Sequence, residues 1–127
     1  MSRKGLRAVL TVLGGVALAA ALLTLIGGAS TIIGVEDVSP SVDSEMRFYA
    51  TWYALAGIAL LRAARDVEGA TLTVRAVGAA FFVAACARLL SLVVVGRPHT
   101  FAIALMVVEF LIPLAIVPWQ ASISRRS

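Results

Sequence analysis

Arg88 and Glu109 are the side chains best placed to do chemistry in this chain, because each is an ionisable group inside a long apolar run. The two runs are joined by a short turn at 96–100. Arg88 lies eight residues before Gly96, and Glu109 nine residues after Thr100. At ~1.5 Å per residue along a helix, both fall roughly 12–14 Å from the turn. That is almost the middle of a hydrocarbon core ~30 Å thick. An antiparallel hairpin would therefore set opposite charges level with each other and deep in lipid, and a direct ion pair is expected. A charge at such depth is costly unless it is paired or used. The pair can fix the register of two helices. Alternatively, Arg88 can contact an anion while Glu109 serves as counter-charge or proton acceptor.

Other polar groups gather toward the same end of the chain's apolar segments. Glu45, Arg47, Tyr49 and Tyr53 occupy one end of the segment before the hairpin. Ser91 lies near Arg88, and Arg97 and His99 lie in the turn. Arg47 is a second candidate anion contact, although Glu45 and Arg47 can equally be solvated helix ends. Tyr49, Tyr53 and Glu109 are the groups able to donate a proton in an occluded site. His99 lacks partners for a metal site and reads as a loop residue. No Ser/His/Asp set and no paired-His motif emerges, so an enzymatic role is uncertain and no cofactor or metal is expected. The single cysteine, Cys86, cannot form an intrachain disulfide and reads as a small buried packing residue. Gly14 and Gly15 lie inside an apolar run, where helix packing is expected of them rather than phosphate binding. Trp52 and Trp119 read as interface or packing aromatics.

The elements that position these residues follow from composition. The chain has 127 residues, enough for one domain, and 61% of them are hydrophobic. That is more apolar surface than a soluble domain of this size can bury, so lipid is the expected solvent. The net charge of +4 is not a nucleic-acid signal, because the basic residues cluster at chain ends and beside apolar runs. Four spans are expected, at about 6–27, 46–64, 74–95 and 101–119. The first is too long for a signal-peptide core, usually ~7–15 residues, and reads as an uncleaved transmembrane helix. Ser39-Pro40 predicts an earlier start for the second helix, with Asp43 favouring its positive dipole end. Thr71 or Thr73 is expected to cap the third helix and Thr100 the fourth. Pro113 has no N–H for the carbonyl of Glu109, which predicts a kink beside the charge. Pro118 does the same for Leu114. Ala76, Ala80 and Ala84 lead to Arg88 in four-residue steps, a small-residue stripe expected to turn Arg88 toward the bundle. Arg47 likewise shares a face with Ala50, Ala54 and Gly57.

Loop charge sets the expected direction. Arg3, Lys4, Arg7, Arg62, Arg65, Arg75, Arg125 and Arg126 lie on one side, and Glu36, Asp37, Asp43 and Glu45 on the other, with Arg47 and Arg97 as basic exceptions. The positive-inside rule then puts both termini in the cytoplasm. The expected fold is an all-α integral membrane four-helix bundle.

Together these residues resemble a family of small, four-span bacterial membrane proteins known only as a domain of unknown function. The resemblance rests on Glu45-Met46-Arg47-Phe48, Arg88-Leu89-Leu90-Ser91, Gly96-Arg97-Pro98 and the late Glu109, and covers nearly the whole chain. Similar proteins often carry Asn where this chain has Ser44, and glycines where it has Ala85 and Ala87. The resemblance implies a bacterial inner-membrane location and no established activity. A looser likeness in shape to DoxX-like membrane proteins concerns the fold alone. Three function classes remain. The first is an accessory or interaction protein held together by its Arg/Glu cluster, with a membrane protein or a second copy as partner. The second is binding or transport of a small amphiphilic or anionic ligand. The third is a component of a membrane oxidoreductase.

Overall fold

The computed structural model describes residues 2–125, so Arg126 lies outside the described residues. The chain is all-helical. Helices α1 (Arg3–Gly27), α2 (Pro40–Ala63), α3 (Thr71–Val94) and α4 (Thr100–Arg125) follow one another, with one 3₁₀ turn at Ala29–Thr31. The chain reverses at each connection, so both termini and the α2–α3 loop share one end, the terminal end. The loop before α2 and the turn before α4 share the other, the loop end.

Local chemistry sets the helix boundaries. Ser2 Oγ accepts the Gly5 amide at 2.9 Å and starts α1. Ser39 Oγ accepts the Val42 amide at 3.2 Å, with Pro40 as the first residue of α2. A proline there loses no helical bond, since its N–H would be unpaired anyway. Gly28, at φ 85°, ends α1 in a conformation that side chains disfavour. Neither Thr71 nor Thr73 caps α3, whose cap position is Ala70. For α4 the cap is His99: its carbonyl accepts the Ala102 amide, and its ring Nδ1 accepts the Phe101 amide at 3.1 Å. Thr100 instead accepts a bond from Arg97 Nη2 at 3.1 Å. Helix α4 continues through Pro113 and Pro118 without a break, and runs past the expected 119 to Arg125. Its buried face, Glu109, Pro113, Ile116, Gln120 and Ile123, keeps packing to that point.

Two hairpins make the bundle. Helix α1 packs along α2 and α3 along α4, and the hairpins touch each other less, through α2 against α3 and α1 against α4. Within the first hairpin the backbones nearly meet at Gly14 and Gly57. A Cβ at Gly57 would stand 2.8 Å from the Leu18 nitrogen and 2.9 Å from the Gly14 oxygen. Ala17 and Ala21 face Ala50 and Ala54 along the same buried seam, the small-residue approach that membrane helices use. Gly15 faces open space, so only Gly14 of the pair serves packing.

The large apolar side chains of the core gather at the terminal end. Leu6 and Leu10 of α1 meet Leu60 and Ala63 of α2, Val74, Val77 and Phe81 of α3, and Ile116 and Ile123 of α4. Toward the loop end, Ala85 and Glu109 are the last buried residues of the second hairpin; none of residues 86–108 is buried. Much of the outer surface is apolar, with Leu72, Val95 and Ile26 at least 80% exposed. Exposed aliphatic surface on this scale suits lipid and not water. Helices α1, α3 and α4 are long and apolar enough to cross a membrane. Helix α2, whose loop-end half carries Arg47, Tyr49, Trp52 and Tyr53, is not counted among them.

Two expectations are corrected by the way α3 turns. Its buried face is Val74, Val77, Gly78, Phe81 and Ala85. Cys86 is one residue, or about 100°, round from Ala85 and is exposed. Ala76, Ala80 and Ala84 are exposed as well, so that stripe faces away from the bundle. The small residue that brings α3 and α4 together is Gly78, where a Cβ would lie 2.9 Å from Val117 Cγ2 and 3.3 Å from Pro113 Cβ.

Candidate functional site

The charged pair sits at the boundary between the packed and the unpacked halves of the second hairpin. Arg88 Nε donates to Glu109 Oε2 at 3.0 Å. The carboxylate is closed off, its side chain 4% exposed, whereas Arg88 is 41% exposed. This asymmetry follows from helix phase. Glu109 begins the buried face of α4, and Arg88 follows Ala85 by three residues, at the edge of the buried face of α3. Beyond Glu109, Pro113 lies one turn on and packs against Gly78. The missing proline N–H leaves the Glu109 carbonyl without its helical donor.

Tyr53 is the one candidate from the first hairpin that comes close. It lies within electrostatic reach of both Glu109 and Arg88, and its ring meets Phe81 edge-on at 6.2 Å. Arg88 and Ser91 also line a small cavity of about 90 Å³ between α3 and α4, with Leu92, Pro98, Ala102, Ile103 and Met106. Ligand pockets usually run to ~300–1,000 Å³. This one can take a few atoms beside the guanidinium.

The remaining candidates sit elsewhere. Arg47 faces the end of α1. Its Nη1 donates to the Leu25 carbonyl at 2.7 Å and the Ile26 carbonyl at 3.3 Å, and its Nε to Asp43 Oδ2 at 2.8 Å. Asp43 Oδ1 in turn accepts the Ala29 amide at 2.9 Å. The Ala29 amide, and then the Arg47 guanidinium, hold the Asp43 carboxyl below its usual range. Two side chains of α2 thus satisfy groups that the end of α1 would leave unpaired. Glu45 and Tyr49 are exposed, and Tyr49 meets Phe48 edge-on at 5.4 Å. Arg97 bonds Thr100. His99 caps α4 and packs against Gly34 of the long loop, which ties the two hairpins at the loop end. Gly34 has φ 88°, a backbone state open chiefly to glycine.

Gln120 has a larger role than its place at the end of α4 suggests. It is fully buried, and its Nε2 lies 3.0 Å from the Val67 carbonyl, 3.3 Å from the Glu68 carbonyl and 3.0 Å from Thr71 Oγ1. It fastens the α2–α3 loop to α4. One signal for it is legible: Gln120 lies on the helix face of Glu109, Pro113 and Ile116, where a polar group needs a partner. Arg7 of α1 mirrors Arg47, donating from Nε to the Ala64 carbonyl at the end of α2 at 2.9 Å. Each helix of the first hairpin thus supplies an arginine that caps the other. Trp119 Nε1 donates to the Ser2 carbonyl at 3.2 Å and joins α4 to the start of α1.

Among the described residues, no three of His, Cys, Asp and Glu converge to hold a metal. A family model described as "Domain of unknown function (DUF4345)" matches residues 5–120. No curated protein matches the chain, and no solved structure does.

Proposed function

The chain belongs to the DUF4345 family, a domain of unknown function, and we propose that it is a small accessory protein of the bacterial inner membrane. In this reading all four helices span the bilayer and both termini are cytoplasmic. Helix α2 has 24 residues, ~36 Å of helix, and packs along α1, so it is long enough to cross beside it. Its loop-end aromatics suit the lipid interface.

The observation that carries the proposal is the place of the ion pair. Ala85 and Glu109 close the packed part of the second hairpin, and none of residues 86–108 is buried, with His99 against Gly34 as a tie to the first. Arg88–Glu109 then holds α3 to α4 where the core no longer does, and the unburied half of the hairpin is the surface offered to a membrane-protein partner. Photo-crosslinking from Leu90 or Val94 tests this, with Val12 of α1 as the control. A discrete protein adduct from the α3 positions alone is expected. Lipid adducts from every position would overturn it.

A second reading keeps one specific observation. Arg88 gives only Nε to Glu109, is 41% exposed and shares its cavity with Ser91. A small anionic group fits that edge. Equal ligand recovery from purified wild type and Arg88→Ala would remove this reading.

A further inference from the structure

A second cluster of charge lies at the terminal end, some distance from the Arg88–Glu109 pair. Arg7, Arg62 and Arg65 line one groove between α1 and α2, together with Thr11, Ile58 and Leu61. The groove is open and encloses about 690 Å³. Arg7 is held in place by its bond to the Ala64 carbonyl, which directs its guanidinium across the hairpin toward α2. Among the described residues, the side chains of Arg62 and Arg65 make no hydrogen bond or ion pair. The nearby acids are engaged elsewhere: Glu68 pairs with Arg3, and Asp66 accepts the Gly69 amide. Three guanidiniums therefore face one groove with no carboxylate among its lining residues.

The groove is also graded along the helix axis. Ile58 lies one turn deeper than Arg62, and Leu61 one turn deeper than Arg65, so cationic groups stand ~6 Å above an aliphatic wall. That order, charge at the bilayer rim and hydrocarbon below it, is the order of a phospholipid. Basic pockets between membrane helices bind anionic headgroups by the same logic.

We propose that this groove binds one anionic glycerophospholipid of the adjacent leaflet, its phosphate held by Arg7, Arg62 and Arg65 and an acyl chain laid along Ile58 and Leu61. The site rests on the membrane location of the chain but not on any role of Arg88 and Glu109. The guanidiniums of Arg62 and Arg65 hold no helix end, unlike that of Arg7, so they can be changed without removing a cap.

The test is native mass spectrometry of the full chain released from nanodiscs of equal phosphatidylglycerol and phosphatidylcholine. Wild type should retain phosphatidylglycerol in preference, as a one-to-one adduct. The preference should fall roughly fivefold per arginine, hence ~25-fold in Arg62→Gln/Arg65→Gln. Arg75→Gln, which removes an exposed charge outside the groove, should leave it unchanged. Inorganic phosphate should not compete with the lipid. An equal preference in wild type and the double variant, an equal loss in Arg75→Gln, or displacement by inorganic phosphate would each overturn the proposal.

Discussion

Replacing Arg88 by Gln removes the guanidinium 3.0 Å from the Glu109 carboxylate and leaves a shorter polar side chain. The two halves of the pair are not equivalent, because Glu109 is 4% exposed and Arg88 41%. Arg88→Gln strands a carboxylate in the interior. Removing one partner of a buried pair costs ~3–5 kcal/mol, and ~3 kcal/mol suits a pair at the edge of the core. Glu109→Gln strands a half-exposed guanidinium on a flexible stem that can bend toward the interface, for ~1 kcal/mol. The double variant leaves two amides able to bond each other, at ~2 kcal/mol. Arg88→Gln should therefore cost more than Glu109→Gln, with a coupling of ~2 kcal/mol between them. The assay is SDS-driven equilibrium unfolding in mild micelles, followed by the fluorescence of Trp52 and Trp119. Equal single losses, the reverse order, or a coupling within ~0.5 kcal/mol of zero would refute the reasoning.

Two further outcomes follow from the first hairpin. The Asp43 carboxyl is held below its ordinary value of 3.8 by the Ala29 amide and Arg47, so its contribution is present above pH ~4 and lost as pH falls through the lowered value. Asp43→Asn should flatten the loss of thermal stability between pH ~4 and ~2, and an unchanged acid limb would exclude this role. Gly57→Ala pushes a methyl against the backbone of α1, whose nearest atoms would lie 2.8 Å and 2.9 Å away, and should cost ~2–3 kcal/mol. Gly15→Ala meets open space and should be neutral or stabilising by up to ~1 kcal/mol through helix propensity. Unfolding midpoints of the two variants decide it.

Much of the fold is legible along the chain because helix formation in lipid is a local requirement: every backbone group must be satisfied within its own segment. Ser39-Pro40 marks the start of α2 without reference to any neighbour. The residue count from the 96–100 turn brings Arg88 opposite Glu109. Other features depend on helix rotation. In a chain apolar on every side, hydrophobic pattern does not say which face is buried, since lipid accepts apolar groups as readily as the core does. That is why Cys86 and the Ala76–Ala80–Ala84 stripe face outward while Gly78 and Ala85 face inward.

By itself, then, the sequence determined four helices, the start of α2, their antiparallel order and the level at which two opposite charges meet, all of which depend on spacing along one chain. The tertiary structure decided that Arg47 and Arg7 cap opposite helix ends, that Gln120 pins the α2–α3 loop, and that Glu109 is sealed while Arg88 is half open. Those outcomes turn on which face of each helix meets a neighbour and where the hairpins part, and both are set by packing between segments.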